Sequence, residues 1–213
     1  GGIAGTAGKV DGCTNNGTLT LEGYYTDTAG TSYSYAGGIA GFATGAANCT
    51  NNMELNVEYG GRYVGGIVGY LNAVRSASAT INGNENHGEI KGTSYVGGIF
   101  GYITIQDGSN NDIIIVNNNK NDGVVTATES NVGGIAGLAS GKHSYISYTN
   151  YYAKLKFTSC ENKAAISGVD YVGGIVGYAP EYVSEISLCK NEDSITGNLY
   201  VGGYAGYASG TTM

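Results

Sequence analysis

The chain has one proline, Pro180, no tryptophan and two histidines, and only 13% of its 213 residues are charged. That charged share is about half the usual one. Arg62 and Arg75 are its only arginines, and the formal net charge is −7. Nucleic-acid binding needs clustered Lys and Arg, so a polyanion partner is excluded. No run of about 18 apolar residues exists, so no helix of this sequence is long and apolar enough to span a membrane. A lone proline and glycines that do not recur every third residue exclude collagen. Cys-x-x-Cys is absent as well, which removes the usual zinc frameworks.

What is present in excess is glycine (38), tyrosine (19) and asparagine. Glycine, asparagine and β-branched residues are poor in helix interiors, which argues against a helical bundle. A hydrophobic share of 41% with low charge argues against disorder. A repetitive, turn-rich β protein remains.

The excess is organised by two alternating motifs. Gly-Gly-Ile-x-Gly begins at Gly1, Gly37, Gly65, Gly97, Gly133 and Gly173, with a variant copy at Gly202, and the intervals run from 28 to 40 residues. Its fullest form is Tyr-Val-Gly-Gly-Ile-Val-Gly-Tyr, at Tyr63 to Tyr70 and at Tyr171 to Tyr178. The second motif starts at Cys13, Cys49, Asn84, Asn119, Cys160 and Cys189. Two residues later each copy has asparagine (Asn15, Asn51, Asn86, Asn121, Asn162, Asn191), and four residues after that an aliphatic (Leu19, Leu55, Ile90, Val125, Ile166, Ile195). Length varies only between motifs, so 103–118 and 139–159 read as loops inserted into stacked repeats.

This spacing predicts an all-β fold, a β-solenoid resembling a parallel β-helix, with about six coils of 28–40 residues. Residues 1–213 read as a single repeat domain, a fragment of a longer repeat array. The shortest interval is too short for a four-stranded propeller blade of about 40–45 residues. One coil per repeat places equivalent residues about 4.8 Å apart. The six asparagines can then form a structural ladder, each amide donating to the next. The cysteines stack in the same register, where parallel side chains suit a disulfide dihedral poorly, so free buried thiols are expected. Strand alternation puts Tyr63, Gly65, Ile67 and Gly69 on one face and Val64, Gly66, Val68 and Tyr70 on the other. Which face is covered stays open.

Catalytic and metal chemistry find little footing. Asp11, Asp27, Asp107, Asp112, Asp122, Asp170 and Asp193 fall at different places in the repeat, so no general acid and base pair forms. His87 and His143 have no nearby Cys or His to complete a metal set and read as surface loop histidines. Asp107 to Asp112 is oxygen-rich but lacks the fixed glycine and closing glutamate of a calcium-binding hand loop, and reads as a solvated turn. No catalytic residue, metal site or cofactor is expected. The binding candidates are two tyrosine rows: Tyr63, Tyr95, Tyr171 and Tyr200, and Tyr70, Tyr102, Tyr178 and Tyr207. Such rows can form an exposed aromatic strip that binds glycan or protein, or simply cover the solenoid wall.

The glycine motif alternating with Cys/Asn-x-Asn-x-Gly-x-Ile-x-Gly, as at Asn84 to Gly92, resembles the GLUG-motif repeats of bacterial surface proteins. Such repeats occur in secreted adhesin-like proteins, upstream of immunoglobulin A protease domains, and in surface proteins of gut Bacteroidetes. The resemblance covers essentially the whole chain. It departs at Met53, Ala164 and Asp193, which replace a glycine, at Asn131, which replaces tyrosine, and at Tyr204, which replaces isoleucine. It implies a non-catalytic stalk or adhesin region, extracellular or on the bacterial cell surface, whose partner would be a host or bacterial glycan or protein. It supplies no catalytic residues. A carbohydrate-binding module using a tyrosine row or the inserted loops is the alternative, and an enzyme akin to β-helix polysaccharide lyases is a further rival.

Overall fold

A computed structural model describes residues 1–21, 25–26, 32–57, 60–74, 81–106 and 111–213. Asp27, Arg75 and the first four residues of the oxygen-rich turn, 107–110, lie outside the described residues. The chain is a parallel β-solenoid built from five sheets that run the length of the stack. One coil shows the plan: strands Tyr63–Gly65, Val68–Ala73, Ile81–Asn82, Glu85–Asn86 and Ile90–Gly92 each join a different sheet. Every strand pairs in parallel with its counterpart one coil above and below, in the register of the sequence repeat. One of the two seven-stranded sheets is parallel throughout, from Ala4–Thr6 to Ala205–Ala208, so the solenoid is roughly 30 Å tall.

Alternation along the eight-residue glycine unit fails at one point. The unit is two strands, not one, because the chain bends at Gly66 and Ile67. Val64, Ile67 and Val68 all point inward and are fully buried, while Tyr63 and Tyr70 both remain partly exposed on the outside. Glycine is required at the bend by close approach. A Cβ on Gly98 would collide with the carbonyl oxygen of Gly134 in the next coil and with the Asn121 amide across its own coil. The same collision recurs at Gly66, Gly134 and Gly174.

That contact divides the interior into two apolar columns. On one side Ile39, Ile67, Ile99, Ile135 and Ile175 stack in one core, each worth about 1.5–3 kcal/mol when buried. On the other, Val64, Val96, Val132 and Val172 face Leu55, Ile90, Val125 and Ile166. Bulk is compensated between coils: Phe100 stacks beside Ala136 in the same register column.

Between the columns runs the asparagine ladder. Nδ2 of Asn51 donates to Oδ1 of Asn86 at 2.8 Å, Asn86 to Asn121 at 2.8 Å, Asn121 to Asn162 at 2.8 Å and Asn162 to Asn191 at 2.7 Å. The second amide hydrogen goes to the carbonyl two residues on, as from Asn86 to Gly88 at 2.8 Å. Unpaired, such a buried amide would cost about 1–3 kcal/mol. Asn15 keeps the register but donates to the Gly38 carbonyl and the Met53 sulfur instead. A shorter ladder joins Asn84 to Asn119 at 2.8 Å within the cysteine column. Cys13, Cys49, Cys160 and Cys189 are free thiols.

The residue before each Cys or Asn of this column turns left-handed: Gly12, Asn48, Gly83, Asn118, Ser159 and Leu188 all have φ between 50° and 64°. The outer face of the ladder sheet carries charge of alternating sign. Glu85, Lys120, Glu161 and Lys190 follow one another up the stack, and beside them His87 meets Asp122 at 3.1 Å.

The insertions are more regular than loops. Residues Lys142–Ile146 and Thr149–Thr158 form an antiparallel hairpin that extends the sheet containing Ile81–Asn82. Its two-residue turn, Ser147 and Tyr148, has φ of 49° and 63°, the positive values that match the twist of a tight hairpin. In the other insertion, Ile113–Asn117 pairs with Lys154 to Thr158 of that hairpin.

Candidate functional site

The bend at Gly66 and Ile67 brings the two expected tyrosine rows, assigned by alternation to opposite faces, onto one outer edge of the solenoid. Tyr63 stacks on Tyr95 with centroids 5.1 Å apart, and Tyr70 stacks on Tyr102 at 5.0 Å with planes 4° apart. The rows also touch each other, Tyr63 with Tyr70 at 6.1 Å and with Tyr102 at 5.7 Å. Tyr35 and Phe42 close this group at its first coil. A second group joins Tyr171 to Tyr200 at 4.8 Å and Tyr178 to Tyr207 at 5.2 Å, with Tyr171 and Tyr178 themselves 4.8 Å apart. Such pairs contribute about 0.5–1.5 kcal/mol each beyond burial. All eight sequence-derived candidates therefore lie on one surface, in two groups of four.

The groups are separated by the single coil in which Asn131 takes the place of Tyr63 and Leu138 that of Tyr70. Val132 pairs with Val96 and Val172, and Leu138 with Tyr102 and Tyr178, so both residues stand in the tyrosine columns. Tyr95, Asn131, Tyr171 and Tyr200 share a left-handed backbone, with φ of 53°, 68°, 56° and 56°. Asparagine tolerates that region, whereas a bulky side chain there costs roughly 1–2 kcal/mol. The tyrosines offset that cost by stacking.

Crowding alters the phenols. Burial, then the neighbouring Tyr95, pushes Tyr63 up to about 12. Burial, then Tyr102, does the same to Tyr70, again to about 12. Tyr171 is also raised, by desolvation and then by Tyr200. Arg62 sits over the Tyr95 ring at 5.6 Å.

The remaining chemistry-bearing groups are engaged locally. Asn51, Asn86, Asn121 and Asn162 are fully buried in the ladder. Asp11 bonds Lys9 at 2.8 Å and Asn48 at 3.1 Å, and Asp170 accepts the Leu199 amide at 3.1 Å. His143 lies on the hairpin, stacked on Tyr152 at 4.9 Å and bonded to Asn150 at 2.9 Å. Burial pushes the Cys49 thiol up to about 11. Cys160 is raised by its hydrogen bond to Cys189 and by burial. Among the described residues no three His, Cys, Asp or Glu side chains gather into a metal-binding cluster.

Sequence reasoning located both tyrosine columns but not their merger or the gap between them. The signals were there: a Gly-Gly pair between two tyrosines seven residues apart, and Asn131 breaking the tyrosine register. No protein-family model matches this chain, and neither a curated protein nor a solved structure was found to match it.

Proposed function

We propose that the chain is a non-catalytic extracellular repeat module, the stalk or adhesive region of a bacterial surface protein. The observation that carries this reading is the use of the recurring polar residue. In coil after coil the asparagine amide is buried and bonded to the next coil, so the repeat is committed to building a rod. A solenoid of this kind extends by adding coils and tolerates insertions at its sides, which suits a spacer that projects other parts of a protein. The GLUG-like alternation of motifs supports a bacterial surface location. Antibodies raised against this chain should label intact cells of the source organism, and surface proteolysis should remove the signal. Labelling that appears only after permeabilisation would overturn the proposal.

A second reading, glycan binding by the tyrosine face, is favoured by one observation. The tyrosines of both rows share one surface and are only partly buried, with Tyr35 at 41% and Tyr200 at 54% exposure. A row needed only to cover the wall would gain more by being covered itself.

A further inference from the structure

We infer that the gap between the two tyrosine groups is a binding notch for a single pyranose ring of a neutral glycan. Where Asn131 and Leu138 replace the tyrosine pair, a cleft of about 370 Å³ opens, walled by Tyr95 and Tyr102 on one side and Tyr171 and Tyr178 on the other. That volume lies at the low end of the roughly 300–1,000 Å³ of small-molecule sites, room for one or two rings.

Three irregularities of an otherwise repetitive chain converge here. Two are the substitutions themselves. The third is the only proline. Leu138 pairs with Tyr178, but two residues further on Ser140 pairs with Glu181 three residues on, so a β-bulge falls at Ala179 and Pro180. Bulges re-aim side chains beside functional sites, and proline within sheets is confined to such places. Pro180, Ser140 and Glu181 all line the cleft.

Spacing and lining select the ligand. Tyr95 and Tyr171 are two coils apart, roughly 9.6 Å along the stack at about 4.8 Å per coil. Two carbon contacts of about 3.5–4 Å, one to each wall, leave space for a puckered saturated ring, more than a flat aromatic fills. The aromatic faces match the C–H faces of a sugar. The Asn131 amide, the Ser140 hydroxyl and the Glu181 carboxylate offer donors and acceptors to its hydroxyls. The carboxylate and the net charge of −7 disfavour uronic and sialic acids. A neutral hexopyranose meets all of these conditions.

The inference rests on the adhesive reading above, and cell-surface labelling tests that reading separately. The probes are gluco-, manno-, galacto- and N-acetylglucosamine-based oligosaccharides, with a tryptophan-containing tripeptide as the aromatic rival. At least one oligosaccharide is expected to shift the NMR ring signals of Tyr95, Tyr102, Tyr171 and Tyr178. The double variant Asn131→Tyr, Leu138→Tyr completes the columns with residues their neighbours already carry, and should weaken binding by at least about tenfold. Binding undiminished in that variant, no binding by any oligosaccharide, or binding of the tripeptide alone would each overturn the notch. Should the filled chain melt early, Tyr178→Leu decides instead: lost binding supports the site and retained binding removes it. A surface-exposed chain with an idle notch would leave the stalk reading standing.

Discussion

Asn15 and Asn51 occupy adjacent rungs of the ladder sheet, yet no hydrogen bond joins their amides. Nδ2 of Asn15 is 2.6 Å from the Met53 sulfur and 2.8 Å from the Gly38 carbonyl, and Oδ1 of Asn51 has no donor among the described residues. Met53 stands where Gly17, Gly88 and Gly123 stand in other coils, and its thioether receives a hydrogen that the next four coils pass upward. The ladder starts at Asn51.

Removing a middle rung should therefore cost more than removing the first. Asn86→Ala strands the Asn51 donor, the Gly88 carbonyl and the Asn121 acceptor in a dry interior. A loss of about 3 kcal/mol is expected, against about 1 kcal/mol for Asn15→Ala. Urea unfolding of the two variants measures the difference, and equal losses would contradict a ladder that begins at Asn51.

Gly98→Ala should be among the most damaging single changes, because a Cβ there meets backbone of the next coil and the Asn121 amide, neither of which can yield. Gly5→Ala meets nothing and should change stability by less than about 0.5 kcal/mol. Thermal melts of both chains test the contrast.

Leu188 presents the opposite opportunity. It is 81% exposed and left-handed at φ 53°, in the column where four of the other five coils place glycine or asparagine. Leu188→Asn should stabilise the fold by about 1 kcal/mol, read as a higher urea midpoint at unchanged slope.

Alkaline pH should unfold the stack through its tyrosines. Tyr63 and Tyr70 hold their protons to about 12 in the fold, against an ordinary value of 10. The folded state thus binds more protons between these values. The stability these groups contribute is fully present below pH 10 and is lost as pH rises through about 12. Phenolate absorbance should show a late phase that disappears in the double variant Tyr63→Phe, Tyr70→Phe.

The coil itself was legible from the sequence because stacking repeats one demand many times. Six copies of Cys/Asn-x-Asn fix a register that no single copy would. The five-sheet cross-section and the fusion of the tyrosine rows were not legible, since period-two alternation treats Tyr63 to Tyr70 as one straight strand. The bend comes from Gly66 meeting Asn86 and Gly98, a contact across and between coils. The hairpin at Lys142–Ile146 and Thr149–Thr158 escaped notice for a related reason. Its turn uses Ser147 and Tyr148 with positive φ, where a reader expects Asn-Gly.

The alternating charges on the ladder sheet bear on how such a chain avoids misassembly. Its asparagines and glycines are interchangeable between coils, so by themselves they would permit a coil to be skipped during folding. Skipping one coil would set Glu85 against Glu161 and Lys120 against Lys190, like against like, whereas the correct order sets each against its opposite. At about 1 kcal/mol per close pair in water the penalty is small. It falls, however, on an error that the recurring asparagines and glycines cannot detect. A two-letter parity check is thus written along the outside of a stack whose asparagines and glycines recur at every step.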